Sequence, residues 1–386
     1  MAGFTSQDNL INNITTNGKF WRADWTKQFN PTAAAVANEW HSLARGGGYP
    51  QADAIFDVGT NLQYQGITDL TTSAGSIYHG GNVGANGDDF KVILNASAFS
   101  SAATTMPATL MLVDILGFIR VTTVTTTTAQ STVVSNTFTA SSSSGLLLTY
   151  TNNWQNYQKV QFTTTTTLPT GLTAGTDYWL VRVSATTARV ATSYANAIAG
   201  TVIAFTDAGT GTHTLTVRHN RYGDGAGVQA FMMNPAATAM GAGTPNLTIG
   251  YTNSAGTASR ATPSSPSPPI GKTGATNSHI LYSGATGAGK MGPFLPLQAN
   301  DAGIQSIQTI TNSTSYVSGT YTVCFAKPLL SIPMTTLGVA TMVECGSMLP
   351  SFPRVYDGAA LYWLLNSGAA TPANSAFTGH IDLGWS

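Results

Sequence analysis

Charge is what this 386-residue chain has least of: Asp, Glu, Lys and Arg make up 8% of it, against about a quarter of an ordinary soluble domain. Glutamate is nearly missing, with Glu39 and Glu344 its two occurrences, and the net charge is zero. Mixed surface charge normally keeps a protein apart from its neighbours, and its scarcity favours association. Basic clusters are missing too. Arg218-His219-Asn220-Arg221 is the nearest approach, too short to track a phosphate backbone, so no nucleic-acid partner is expected. Two cysteines, Cys324 and Cys345, are too few for a secreted disulfide scaffold and lack metal-type spacing. They read as buried free thiols. The most apolar run, Leu110–Ile119, is interrupted by Asp114 and falls short of the roughly 20 residues that span a bilayer. The first residues, Met1 to Asp8, lack the basic and apolar regions of a secretory signal. The expectation is synthesis and assembly in the cytoplasm, without membrane insertion.

What replaces charge is Thr, Ser, Gly, Ala and Asn, together with a hydrophobic content of 42% and an aromatic content of 9%. That is enough to build cores and argues against wholesale disorder. Helix signals gather in the first fifty residues. Ser6 or Asp8 can cap a helix carrying Leu10, Ile11 and Ile14, closed by Asn17-Gly18. A second helix is expected from an Asn30 cap and Pro31 to the stop at Gly46-Gly47-Gly48, with Ala33, Val36, Ala37, Trp40 and Ala44 forming its apolar stripe. Beyond Tyr49 the pattern turns to β: Thr, Val, Ile, Tyr and Phe runs broken by Gly, Asn, Asp, Ser and Pro. Leu110–Ile119 fits a strand or a short buried helix.

The fold class expected is mainly β, with a β-sandwich or jelly-roll-like main domain. A short helical amino-terminal arm (1–49) precedes it. The main domain (50–126 and 219–386) is interrupted at 127–218 by an Ig-like β-sandwich, read from short strands at Leu146–Tyr150, Lys159–Phe162, Thr176–Val183, Ala188–Thr192, Thr201–Thr206 and His213–Val217. Thr262-Pro263 through Pro268-Pro269 reads as a surface loop.

Motifs that would carry chemistry fail on their own requirements. Gly284-Ala285-Thr286-Gly287-Ala288-Gly289-Lys290-Met291 has the glycines and lysine of a phosphate loop. Met291 stands where a metal-binding hydroxyl is needed, and Gly292-Pro293 cannot open the required helix. His41, His79, His213, His219, His279 and His380 form no ligand-type pair. No G-x-S-x-G elbow occurs, and Asp88-Asp89 are neighbours that face opposite ways on an extended chain. The expectation is a protein that is not an enzyme and has no cofactor or metal.

Two aromatic groups call for a role. Phe20, Trp21, Trp25, Phe29 and Trp40 either pack the arm onto the β core or anchor it in a neighbouring subunit, since Trp dominates buried interfaces. Trp154, Tyr157 and Trp179 are the candidates for stacking on a host glycan.

The segment Leu168-Pro169-Thr170-Gly171-Leu172-Thr173-Ala174-Gly175-Thr176-Asp177-Tyr178-Trp179, continuing through Arg189–Ser193 and Asp207–Leu215, resembles a β-sandwich module of tailed-bacteriophage virion proteins. Phe4–Asn12, Glu39–Leu43 and Val355–Ala359 are similar to head-associated structural proteins of such phages. The resemblance implies a virion component without catalytic residues, foremost a capsid decoration or cement protein. Its partners would be the major capsid protein or other virion proteins and itself, as a homotrimer. A head or tail fibre protein binding cell-surface glycan is the alternative. A capsid shell protein ranks third, because no long amphipathic spine helix follows residue 45.

Overall fold

The computed structural model describes residues 4–29, 39–53, 55–57, 59–68, 75–80, 90–100, 107–142, 147–152, 154–235, 240–241, 243, 245–263, 279–280, 292–345, 352–368 and 375–386. The chain is mainly β, with several sheets and a short amino-terminal helix. That helix, Gln7–Thr15, starts as its sequence predicts: the Ser6 hydroxyl accepts the Asn9 N–H at 3.1 Å, satisfying one orphan amide of the first turn.

Two sheets form a sandwich. The first runs Thr341–Glu344, Lys91–Ser100, Ser375–Trp385, Phe20–Phe29, Gly48–Tyr49. The second runs Gln229–Met233, Tyr321–Met334, Ala108–Val121, Leu361–Ser367, Glu39–Ser42, His279–Ile280, with Tyr64–Gly66 also on Ala108–Val121. Strand Leu361–Ser367 shows why the second sheet reads as a continuous apolar run. Leu361, Trp363 and Leu365 fill the core between the sheets, whereas Tyr362 and Leu364 fill a second core on the opposite face. Alternate residues point to opposite faces, so burying both faces requires apolar residues at every position. The same rule settles Leu110–Ile119 as part of the strand Ala108–Val121.

The middle segment closes on itself. Strands Ser135–Ser141, Leu147–Thr149, Lys159–Thr164, Tyr178–Arg182, Thr187–Ala191 and His213–Val217 form a closed antiparallel barrel. Val160, Phe162, Leu180, Val190 and Leu215 fill it. A short helix, Tyr194–Ala199, lies in the same segment, capped by Ser193 and by Gly200 at φ +72°. The barrel core is continuous with that of a four-stranded sheet, Arg260–Ala261, Leu247–Asn253, Ile304–Asn312, Gln130–Ser131.

Three local expectations need correction. The second helix does not extend through Trp40, because Glu39–Ser42 is a strand paired with Leu361–Ser367; its earlier part lies outside the described residues. Spacing of three and four fits a helix, but hydrogen bonds to a distant strand override local propensity. Residues 201–206 form no strand. The helix at Tyr194–Ala199 was not anticipated, although Ser193 and Gly200 are ordinary helix caps. The motif 284–291, Asp88-Asp89 and residues 264–269 of the Pro/Ser loop lie outside the described residues.

Candidate functional site

The ten-residue strand Phe20–Phe29 decides the fate of the first aromatic group. Alternation sends Ala23, Trp25, Lys27 and Phe29 inward, where Trp25 packs on Trp363 with ring centroids 4.9 Å apart. Trp25 and Phe29 are buried, and so is Trp40 on its own strand, which withdraws all three from direct contact with another subunit. Phe20 and Trp21 remain 38% and 39% exposed. Trp21 stands edge-on to exposed Tyr78 at 5.5 Å.

A larger apolar exposure occurs where Tyr321–Met334 turns into Thr341–Glu344. Residues 335–340 are all exposed, among them Leu337 and Val339, and Met342 follows at 59%. No charged residue occurs from Pro328 to Val343. Thr341–Glu344 is also an edge strand, pairing with Lys91–Ser100 alone among the described residues. The Cys345 N–H donates to Leu94 O at 2.8 Å, so the antiparallel alternation turns the amides of Met342 and Glu344 outward.

Charge is dense along one groove. A groove of about 670 Å³ runs between the barrel and the sandwich, and half of its twelve lining residues are Lys, Arg or Asp. In a chain that is 8% charged, that concentration is the main electrostatic feature of the molecule. On the barrel wall, register places Lys159 opposite Trp179. The Lys159 ammonium sits 5.0 Å from the Trp179 ring and 3.2 Å from Asp177, a cross-strand cation–π pair. Gln161 holds the other Asp177 oxygen at 2.8 Å. On the opposite wall Lys327 donates to Ala226 O at 3.1 Å and lies 5.4 Å from the Tyr222 ring. Tyr222 meets Tyr356 edge-on at 5.0 Å.

The floor is the short basic motif of the sequence, now distributed among four tasks. Arg218 donates to Gly223 O at 3.0 Å, while its Nε is buried without a hydrogen-bond partner. Burial lowers its pKa, a shift countered in part by Asp177 and Asp224. His219 is buried against Tyr64, whose hydroxyl is 2.9 Å from Nδ1. Asn220 ties the barrel down through Lys159 N and Tyr157 O. Arg221 is paired with Asp114 beneath the groove. Tyr222 follows at φ +49°, left-handed backbone that is strained for a bulky residue. Gly225 is required where it stands, since a Cβ there would meet Ile304 O at 2.3 Å.

The second aromatic group divides in the same way. Trp154 is fully buried and offers no face to a ligand. Tyr157 and Trp179 are half-buried; Trp179 adjoins the groove through Lys159.

One constellation escaped the sequence. Ser97 Oγ lies 2.8 Å from His380 Nδ1, and His380 Nε2 lies 3.9 Å from Asp382. Asp382, however, already receives both prongs of Arg22 and the Asn95 amide. The histidine is therefore not clamped by its carboxylate as a nucleophile-activating base would be. Register pairs Ser97 with His380 and Asn95 with Asp382, which makes the group a polar cross-strand ladder. Among the described residues no three His, Cys, Asp or Glu side chains converge as a metal site, and no helix is long and apolar enough to cross a membrane.

No protein-family model matches the chain, and no curated protein sequence does.

Proposed function

We propose that this chain is a structural subunit of a tailed-bacteriophage virion, a capsid decoration or cement protein that works as a homotrimer bridging neighbouring shell subunits. The observation that carries the assembly role is the uncharged loop around Leu337 and Val339 that leads into the edge strand carrying Met342, all three side chains exposed. Isolated proteins blunt such edges with charge, proline or cover, and contiguous apolar exposure marks contact sites. The virion assignment rests on the phage-like segments at 4–12, 39–43, 168–215 and 355–359. Occupying many symmetry-related sites stabilises a particle by mass action. The test is co-sedimentation of the purified protein with decoration-free capsids, together with its sedimentation state alone. Retention on capsids, lost in a Leu337→Lys/Val339→Lys/Met342→Lys variant that melts like the parent, supports the reading. Failure of the parent protein to bind any virion part overturns it.

A further inference from the structure

We propose that the groove between barrel and sandwich is a binding site for an acidic saccharide, a ligand role separate from the assembly function above. The lining favours a polar ligand. Apolar compounds need an apolar wall, and here the walls are Lys159, Asp177, Arg218, Asp224, Lys327 and two tyrosines. Donors and acceptors are interspersed, as a polyhydroxylated ligand requires, because each sugar hydroxyl both gives and takes a hydrogen bond. Tyr222 and Tyr356, edge-on to each other with Lys327 over the first ring and Arg354 over the second, add partly exposed aromatic rings against which the C–H groups of a sugar can pack.

The acidic character of the ligand follows from the balance of charge. Arg221 is neutralised from below by Asp114. Lys159, Arg218 and Lys327 then face Asp177 and Asp224, which leaves one positive charge in excess. A volume of about 670 Å³ lies in the range of roughly 300–1,000 Å³ common to ligand sites, and the groove is open at the surface, as an oligosaccharide that continues beyond it requires.

The internal contacts of the groove do not account for its contents. Lys159 and Asp177 both belong to the barrel side, so their pairing does not fasten the barrel to the body. Lys327 makes one hydrogen bond, to Ala226 O, with three N–H donors available. A groove needed only for fastening could have been closed with the apolar residues that fill the rest of this protein.

The experiment uses the full chain with trigalacturonic acid as probe, neutral maltotriose and inorganic phosphate as comparisons, and saturation-transfer NMR with calorimetry as readouts. Binding of trigalacturonate is expected at or below about 1 mM, with maltotriose weaker and phosphate a poor competitor. Raising NaCl from about 50 to about 500 mM should weaken the acid several-fold as screening shortens. Lys159→Met and Lys327→Met, which keep the stems over their rings, should each weaken binding about tenfold at unchanged melting temperature. Arg189→Gln, on the exposed barrel surface, should bind as the parent does. No saturation transfer at about 5 mM trigalacturonate, or full binding by both lysine variants, overturns the site. Equal competition by phosphate reduces it to a simple anion site and overturns the saccharide assignment. Loss of capsid binding leaves these readouts untouched, so the two proposals fail independently.

Discussion

Arg221 and Asp114 meet as a two-pronged ion pair sealed inside the molecule, Nε to Oδ2 at 2.9 Å and Nη2 to Oδ1 at 2.7 Å. Asp114 belongs to the central strand of the second sheet, and Arg221 follows the last barrel strand. Arg221 also donates to Ile67 O and Ile115 O, and Asp114 accepts the Ala360 N–H. The pair therefore joins the chain returning from the barrel to the centre of the sandwich. A buried pair is costly to break because the survivor keeps its charge without a partner.

Arg221→Met is accordingly expected to destabilise the protein by about 3–5 kcal/mol, read as a drop in the urea midpoint. Asp114→Asn/Arg221→Met, which leaves no orphan charge, should recover part of the loss. Equal stability of the single and double variants would contradict this account.

Acid should unfold the protein through two histidines. His79 is held at about 3 chiefly by burial and next by the Lys91 ammonium, which donates to its Nδ1 at 3.0 Å. His219 is also held at about 3, chiefly by burial. Both values lie below the ordinary 6.5, so below pH 6.5 the unfolded chain binds protons that the folded chain refuses. Their contribution is complete above 6.5 and is lost as pH falls through about 3. The slope is at most about 1.4 kcal/mol per pH unit for each histidine. Urea midpoints at several pH values across this window should fall with acidity, and less steeply in His219→Gln. An unchanged slope in that variant would remove His219 from the account.

Trp25 and Trp21, four residues apart on one strand, should behave differently. Trp25→Ala empties a site against Trp363 and is expected to cost about 3–5 kcal/mol. Trp21→Ala removes a ring that is 39% exposed and should cost about 1 kcal/mol or less. Both rings lie on the same face of the strand, Trp21 at its exposed end. Comparable losses in urea unfolding would therefore show that Trp21 is packed as deeply as Trp25 and would contradict the difference in their burial.

Much of the fold was legible in the residues. The Ser6 cap marked the start of the first helix, the apolar run at 110–119 marked a buried element, and the Thr- and Val-rich runs marked β structure. The failures share a cause. Trp21, Trp25 and Phe29 repeat every four residues, a spacing that suits a helix face or one face of a strand. Neither exposure nor partner could be read until Phe20–Phe29 was seen between Ser375–Trp385 and Gly48–Tyr49. The stripe through Trp40 failed for the same reason: its strand exists because Leu361–Ser367 offers it hydrogen bonds from more than three hundred residues away.

Composition by itself determined that this chain would be mainly β, poor in charge and able to form cores, because propensity, hydrophobic content and charge are summed over residues one at a time. Only the tertiary structure decided where the few charges would meet. Lys159, Asp177, Arg218, Asp224 and Lys327 are scattered through the sequence, and one groove gathers them. Long-range strand pairing brings those segments together, and its register depends on the burial of whole faces rather than on any local signal.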